Sequence, residues 1–341
     1  MRGLWKYISP FAPDQSGTAA VLYGLGGIVV ICDAGGCAGN ICGFDEPRWF
    51  SGKKSAVFSA GLRDMDAILG RDDRLIDKLY LAAQQIDATF AAIVGTPVPS
   101  VIGTDYQALR RMAEKRLDMP IITIDTTGME LYDVGMEKAY DALFKRLAEK
   151  DVQPIANTVG VIGAVPLEME RPHDVDAIRA TLEGQGLTVK MYDCFQDFVT
   201  AGTVTKNIVV SPTGVKGAKY LEKTFGIPYE MKFFGIDHVV PDVQSLAGKK
   251  ILIVHQQTAA NELRTHILSH VTADVTVASW FTLLRDQEED RDIHLKEEDD
   301  WCRLADNDAY DVIIGDVYFK KALPHFTGTY IDFPHFAVSG R

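Results

Sequence analysis

The sequence predicts an α/β fold of three domains, each with a parallel sheet flanked by helices. Short apolar runs such as FAAIVG, NIVVS and KKILIVH show no alternation of polar and apolar residues, which is typical of strands buried on both faces. Amphipathic segments separate these runs, as in right-handed βαβ units. A chain of 341 residues also exceeds what one ordinary hydrophobic core accommodates.

The strand–helix pattern occurs three times along the chain. The first unit has strands at AVF, FAAIVG and PIITID, with helices over Leu62–Gln85 and at TDYQALRRMAEKR. The second has strands at TVGVIGAV, TVKMY and NIVVS, with helices at PHDVDAIRATLEGQG and GVKGAKYLEKTFG. The third has strands at KKILIVH, DVTVAS and DVIIGD, with helices at AANELRTHILSH and KEEDDWCRLADN. We therefore predict three Rossmann-like domains over residues 1–150, which include an N-terminal cysteine loop, 151–245 and 246–341.

Composition excludes several classes of function. A net charge of −12 lacks the basic footprint that nucleic acid requires. The longest apolar run, at Ile28–Ile31, is too short to span a bilayer, so no membrane association is expected. No secretory signal opens the chain, and 5 cysteines are too few for a disulfide scaffold. These features predict a cytoplasmic protein with free thiols.

A nucleotide site has little support in the sequence. Ligands of doubly wound sheets bind beyond the carboxyl ends of the strands, where the loops GTPVPS, DTTGME and SPTGVK are predicted to lie. None of these loops carries a G-x-G-x-x-G fingerprint with a suitably placed acidic residue, and none is a Walker A motif.

The stretch CDAGGCAGNICGFDEPRW places Cys32, Cys37 and Cys42 at equal spacing on a glycine-rich loop. Glycines permit the backbone angles that turn several sulfur atoms toward one point, and their N–H groups can face the sulfides of a cluster. The C-x₄-C gap occurs in plant-type ferredoxin ligation, whereas structural zinc favours C-x₂-C pairs. The loop is therefore a candidate iron–sulfur site.

Two alternatives remain open for this loop. Three thiolates are one short of the four that a cubane needs, so Asp33, Asp45, Glu46 or a second chain would complete the site. In the second alternative, the three cysteines bind no metal and only pack as small buried hydrophobic residues. We interpret Cys194 and Cys302 in this way.

Five stretches resemble, in order, blocks of a known family: VICDAGGCAGN, VFSAGLRDMDAILGRDDRLIDKL, GTPVPSVIGTDYQAL, NIVVSPTGVKGAKYLEKTFGIPYEMKFFG and YIDFPHFAVSGR. The family is component 1 of nitrogenase and its relatives, which include the catalytic subunits of dark-operative protochlorophyllide reductase and the assembly scaffolds. Cys37 matches the cluster cysteine of the family's His-Gly-Pro-x-Gly-Cys motif. The resemblance implies three Rossmann-like domains, a cluster near a docking ATP-dependent iron protein, and a substrate or cofactor held between the domains.

The sequence departs from this family at several positions. The upstream stretch SPFAPDQSGTAA and the loop GTPVPS lack the cysteines found there in relatives, so Cys32 and Cys42 are predicted as replacement ligands. We expect a [4Fe–4S] cluster, shared across the interface of a homodimer or of a heterodimer with a related subunit. Ser211 matches the cysteine that anchors the nitrogenase cofactor, and serine is a poor ligand for soft iron–sulfur centres. Dinitrogen is therefore not the expected substrate.

Catalytic candidates are less distinctive. His255 follows a third-domain strand and is a candidate proton donor, with a pKa expected near neutrality. His325 and His335 flank the last strand, and Asp125 and Asp316 end strands where helix capping is the usual role. Arg48 and Trp49, which follow the cysteine loop, could belong either to a docking face or to an ordinary dimer contact.

The leading functional prediction is an oxidoreductase: an iron–sulfur reductase subunit that accepts electrons from an ATP-dependent iron protein and reduces an unidentified substrate. The alternative is a scaffold or carrier that holds an iron–sulfur cluster or metallocofactor during assembly, without turnover. A metal-free binding protein on the same fold is a third interpretation.

Overall fold

The computed structural model describes residues 5–42, 55–307 and 310–340. Within these ranges the strands form three sheets, and every strand pair in them is parallel. Helices cover the sheets, so the predicted α/β class with helix-flanked parallel sheets is confirmed. The strands of the three sheets lie within residues 28–124, 158–231 and 250–332, while domain boundaries near 150 and 245 stay predictions.

The first sheet has the order β2-β1-β3-β4. Its strands are β1 (Ile28–Ile31), β2 (Ala56–Ser59), β3 (Ala91–Val94) and β4 (Ile121–Ile124). The helices of this part of the chain are α1 (Asp14–Tyr23), α2 (Gly36–Asn40), α3 (Asp64–Leu69), α4 (Asp72–Ala83), α5 (Pro97–Val101), α6 (Tyr106–Glu114) and α7 (Tyr132–Leu147). The single helix predicted over Leu62–Gln85 is wrong: Gly70 adopts a left-handed φ of 60° and ends α3 before α4 begins.

The second sheet has the order β6-β5-β7-β8 and the third the order β11-β10-β9-β12-β13. The strands of the second sheet are β5 (Thr158–Ile162), β6 (Thr188–Lys190), β7 (Lys206–Val209) and β8 (Tyr229–Met231), with helices α8 (Asp174–Glu183), α9 (Phe195–Val199) and α10 (Val215–Phe225). Those of the third are β9 (Lys250–Val254), β10 (Asp274–Ser279), β11 (Ile293–His294), β12 (Val312–Gly315) and β13 (Thr329–Asp332), with helices α11 (Gln257–His270), α12 (Glu298–Asn307) and α13 (Phe336–Ser339).

Helices α1 and α7 cross at very close range. A Cβ atom on Gly17 would clash with the carbonyl oxygen of Tyr132, and one on Gly135 would clash with that of Asp14. The Thr18 hydroxyl also donates to the Gly135 carbonyl at 2.8 Å. This close packing fixes the N-terminus of α7, and with it the side chain of Tyr132, in the middle of the molecule.

The segment before α1 is anchored to the third sheet's part of the chain. One carboxylate, that of Glu298 at the start of α12, accepts the backbone N–H groups of Lys6, Tyr7 and Ile8 at 2.8–2.9 Å. Phe11 packs against Trp280 in the same region, with ring centroids 5.6 Å apart. The N-terminal segment thus ties the first and third units together.

No helix in the described ranges combines the length and the apolar character needed to cross a membrane.

Candidate metal-cluster site

The short helix α2 and the two residues after it carry two thiols, Cys37 and Cys42, at the carboxyl edge of the first sheet. Ala38 and Ile41 are buried and anchor the helix in the core, which leaves Cys37 half-buried and Cys42 exposed. Gly35 precedes the helix with a left-handed φ of 119°, a conformation that favours glycine. A Cβ atom added to Gly36 or Gly39 would meet no described residue within 4 Å. Among the described residues, these two glycine faces of the helix beside Cys37 are therefore open.

Cys32 points away from this space. The residue follows β1 and packs with Ile28 and Val30 against the core beneath α4 and α6, and it is 2% exposed. Cys37 contacts the separate core that includes Val29 and Ile31. Because successive residues of a strand face opposite sides of a sheet, Cys32 and Cys37 lie against different faces.

Asp33 fixes the connection between β1 and α2. One carboxylate oxygen accepts the backbone N–H of Ala38 at 2.8 Å, and the other accepts the Ser59 hydroxyl at 2.6 Å. The Thr96 hydroxyl donates to the carbonyl of Cys32 at 2.8 Å, which ties the same loop to the end of β3. Asp33 and Thr96 are buried, so the loop has a rigid base.

The environment disfavours ionisation of all three thiols. Burial, followed by the charges of Asp72 and Asp33, raises the pKa of Cys32 to about 12. Burial and Asp33 also raise the pKa values of Cys37 and Cys42, and the Thr96 hydroxyl partly opposes the effect on Cys37. A metal or cluster must therefore displace protons that these cysteines hold firmly.

The three sulfur atoms do not form a compact single-ion site. Among the described residues, Cys32, Cys37 and Cys42 are not a set whose sulfur atoms all lie within 4.8 Å of one another. The set that meets this criterion in the described ranges is Asp193, Cys194 and Asp197, on the surface. Arg179 pairs with Asp193 there at 2.5 Å, so this acidic group already has a cation.

The loops around α2 carry an exposed apolar surface. α3 follows β2, α5 follows β3, and residue 129 follows β4, so all three lie beyond the carboxyl ends of the first sheet. The exposed apolar side chains there are Met65, Ile68, Leu69, Val98, Val101, Ile102 and Met129. Exposed apolar surface of this kind, at the same edge of the sheet as Cys37 and Cys42, is typical of a protein–protein contact.

A second set of polar side chains lies buried where the three units meet. The Tyr132 hydroxyl lies 3.1 Å from Nε2 of His335, and the His335 ring stacks on that of His255 with centroids 4.4 Å apart. Glu168 is 1% exposed, and neither of its carboxylate oxygens makes a hydrogen bond of good geometry with a described residue. The hydroxyls of Ser211 and Tyr132 approach this carboxyl and oppose the effect of burial, yet its pKa is still raised to about 7.

His255 differs from the expectation of a near-neutral pKa. The ring is 2% exposed and its Nε2 lies 3.1 Å from the carbonyl oxygen of Pro334. Burial lowers its pKa to about 4. A sealed, neutral imidazole is poorly suited to give a proton to a substrate at neutral pH.

The other sequence candidates have clear structural surroundings. Asp316 is buried and accepts the N–H groups of Tyr318 and His335 and the hydroxyl of Ser339, so it organises the last turn of the chain. Asp125 is exposed and pairs with Lys138 at 3.2 Å, and His325 is exposed. Asp45, Glu46, Arg48 and Trp49 lie outside the described residues.

The position of Ser211 does not fit a metal–sulfur cofactor. Its hydroxyl is fully buried and accepts the N–H of Thr213 at 3.2 Å, as the cap of the turn that precedes α10. This hydroxyl already caps a turn, and the Glu168 carboxyl lies beside it. The position therefore provides neither a soft ligand for iron nor a positive charge for an anionic cofactor. The sequence does not predict a role for Glu168 or Tyr132, because nothing in the stretches PLEME and ELYD shows that these side chains are buried.

Comparison with known proteins agrees with the fold. The family described as nitrogenase component 1 type oxidoreductase matches residues 16–265. The nitrogenase iron-molybdenum cofactor biosynthesis protein NifE of Clostridium pasteurianum is 25% identical over 191 residues, which are 53% of this chain and 40% of that protein. NifE of Methanococcus maripaludis is 23% identical over 205 residues, 56% of this chain and 41% of that protein.

Among solved structures, one titled nitrogenase Cp1 at pH 6.5 superposes with a TM-score of 0.74 at 12% identity. The match covers 98% of this chain and 87% of that one, and it supports the fold. The chain spans less than half the length of the NifE relatives that it matches. Since the family match extends over most of the chain, the protein belongs to the nitrogenase component 1-type oxidoreductase family.

Proposed function

We propose that this protein carries an iron–sulfur cluster on the thiolates of Cys37 and Cys42 and hands it on during metallocofactor assembly. The observation that carries the proposal is the anchoring of α2 by Ala38 and Ile41, which holds one half-buried and one exposed thiol beside glycine faces that no described residue contacts. When bound there, such a cluster would accept or give up single electrons.

The electrostatics of the loop suit release better than permanent storage. Each thiol holds its proton more firmly than an ordinary cysteine, and the nearby charge that contributes is the negative one of Asp33. Cluster binding therefore costs the removal of these protons at neutral pH. The names of the NifE relatives, which are cofactor biosynthesis proteins, point the same way.

A partner is needed to complete the ligand set. Two thiolates from this chain leave a [4Fe–4S] cluster short of ligands, and Cys32 is buried against the other face of the sheet. The apolar surface formed by α3, α5 and residue 129 lies at the same carboxyl edge of the first sheet as the loop that carries the thiols. We propose that a second subunit, identical or related, covers this surface and supplies the remaining ligands.

The second candidate function is the reductase, with electrons from an ATP-dependent iron protein. Family membership and the buried acid–base cluster of Glu168, Tyr132 and His335 favour it. The burial of His255 weighs against it, because this imidazole has a lowered pKa and cannot serve as an acid–base group of near-neutral pKa for a substrate.

Transfer of labelled iron separates the two functions. The protein is reconstituted anaerobically with isotopically labelled iron and sulfide and mixed with an apo-ferredoxin as acceptor. We expect the label to move to the acceptor without added reductant, and the Cys194→Ser variant to transfer equally well. Two results together would support the reductase and overturn the assembly proposal. The fully reconstituted protein would retain the label, and its cluster would cycle between redox states when an iron protein and ATP are supplied.

A further inference from the structure

Three buried polar side chains connect the three units of the molecule. Tyr132 begins α7, Glu168 ends the turn of residues 166–168 after β5, and His335 immediately precedes α13. Tyr132 is 0% exposed, and Glu168 and His335 are each 1% exposed. Each residue thus comes from a different unit, and none of the three is in contact with bulk water.

The contacts among these side chains are incompletely satisfied. Tyr132 Oη lies 3.1 Å from His335 Nε2, and the same hydroxyl approaches the Glu168 carboxyl. Both Glu168 oxygens and Nδ1 of His335 lack a hydrogen bond of good geometry to any described residue. The carbonyl of Leu167 is near enough to the His335 ring to influence its protonation. Buried polar groups are normally paired, so this cluster has unused hydrogen-bonding capacity.

The surrounding charges are few and mostly engaged. On α7, Asp133 accepts the N–H and hydroxyl of Thr282 at 2.7 and 2.6 Å through one oxygen. From the third unit, His255 stacks on His335, and Asp316 accepts the backbone N–H of His335 at 3.0 Å. From the second unit, the uncharged Ser211 hydroxyl approaches Glu168. Glu168 therefore faces one nearby carboxylate, Asp133, and burial further disfavours its ionised form.

The single hydroxyl proton of Tyr132 can serve only one neighbour at a time. When Glu168 is protonated, it donates to the Tyr132 oxygen, Tyr132 donates to Nε2 of His335, and the ring keeps its proton on Nδ1 toward the Leu167 carbonyl. When Glu168 is ionised it can only accept, so Tyr132 donates to it instead. The Tyr132 oxygen then needs a donor from His335, which requires the proton on Nε2.

We propose that Glu168, Tyr132 and His335 form a proton-responsive junction between the three units, in which loss of one proton from Glu168 reverses both hydrogen bonds and shifts the His335 ring proton from Nδ1 to Nε2. The proton of Glu168 leaves to solvent, and the ring of His335 remains neutral. The shift takes the proton from Nδ1, the ring nitrogen that Tyr132 does not contact, in a ring that the Leu167 carbonyl influences. The backbone bond from Phe336 to the Met169 carbonyl, 2.9 Å long, crosses the same boundary and loses support.

The tautomer of His335 is the direct readout of this junction. In full-length protein labelled with ¹⁵N-histidine, we expect its Nε2 resonance to change from that of an acceptor to that of a donor as the pH rises through about 7. Glu168→Gln, whose amide imitates the protonated carboxyl, should keep the proton on Nδ1 at every pH. Tyr132→Phe should also abolish the change. A wild-type tautomer that is the same on both sides of this pH, or a change that persists in Glu168→Gln, would overturn the proposal.

A second measurement needs no variant. The hydrogen-exchange protection factor of the Phe336 amide should fall on the order of tenfold across the same pH window, which corresponds to the loss of about one hydrogen bond. The Val161 amide within β5 serves as the internal control and should keep its protection. Equal protection factors for Phe336 below and above the window would contradict the junction.

Discussion

The phenol oxygen of Tyr132 lies 3.1 Å from Nε2 of His335, a residue 203 positions further along the chain. Both side chains are buried, so the bond forms away from competing water. It joins the helix that follows the first sheet to the short helix that ends the described chain. The three units therefore meet around polar side chains, and the interior is sensitive to small chemical changes.

Removal of this hydroxyl should destabilise the protein. Tyr132→Phe keeps the ring between its neighbours but leaves the His335 ring and the Glu168 carboxyl without their hydroxyl partner. We expect the free energy of unfolding to fall by about 1–3 kcal/mol in chemical denaturation. The control is Tyr7→Phe, in which the tyrosine is 50% exposed and the change should stay within about 0.5 kcal/mol. Equal stability of the Tyr132→Phe variant and the wild type would contradict the contact.

Two buried groups should give opposite pH dependences of stability. The pKa of Glu168 is raised to about 7 from 4.5, so its contribution is largest at low pH and is lost as the pH rises through that window. The pKa of His255 is lowered to about 4 from 6.5, so its contribution is present above 6.5 and is lost as the pH falls toward 4. Each shift corresponds to about 3 kcal/mol over its window.

Variants separate these two effects. Relative to the wild type, Glu168→Gln should gain stability as the pH rises from 4.5 to about 7. His255→Phe, which preserves stacking with Phe333 and His335, should gain relative stability as the pH falls from 6.5 to about 4. Urea denaturation at several pH values measures both differences. Stability differences that do not vary with pH would show that these groups titrate normally in the folded protein.

The cysteines should differ widely in reactivity in the cluster-free protein. Cys42 and Cys194 are exposed, whereas the buried Cys32 has a pKa of about 12 against an ordinary value of 9.0. Cys32 then has on the order of a thousandfold less thiolate, so it should resist alkylation until the chain unfolds. Mass spectrometry of iodoacetamide-treated native and denatured protein measures this. Alkylation of native Cys32 as fast as Cys42 would place its thiol outside the core.

The anchor of the N-terminal segment should depend on one carboxylate. Glu298→Gln removes the charge that accepts three backbone N–H groups, and we expect a loss on the order of 3 kcal/mol. Faster hydrogen exchange at residues 6–8 should accompany it. Asp299→Asn removes a neighbouring exposed charge and should leave this exchange unchanged. Unchanged exchange in Glu298→Gln would show that the segment is held by its aromatic contacts.

The sheets were predictable because their signal is local. Buried runs such as ILIV of β9 need no partner to be identified as strands, and the amphipathic segments between them predict helices and hence parallel pairing. Gly70, by contrast, divides one predicted helix into two, because its left-handed conformation ends α3 inside an otherwise helical pattern.

The sites were less predictable, because they depend on side-chain direction and on distant contacts. Equal spacing suggests that Cys32, Cys37 and Cys42 are equivalent, but Cys32 continues the pleat of β1 and lies in the core of one face. In a strand buried on both faces, no alternation of polarity reveals which way a residue points. Glu168 and Tyr132 meet His335 only through the packing of three units, which no local pattern encodes.

The proposed cluster on Cys37 and Cys42 has a simple chemical signature. Iron and acid-labile sulfide are counted per chain after anaerobic reconstitution, in variants whose folding is verified by circular dichroism. We predict that Cys194→Ser binds as much of both as the wild type, whereas Cys37→Ser and Cys42→Ser retain less than about a tenth. Iron and sulfide at the wild-type level in Cys37→Ser would show that Cys37 does not hold the cluster.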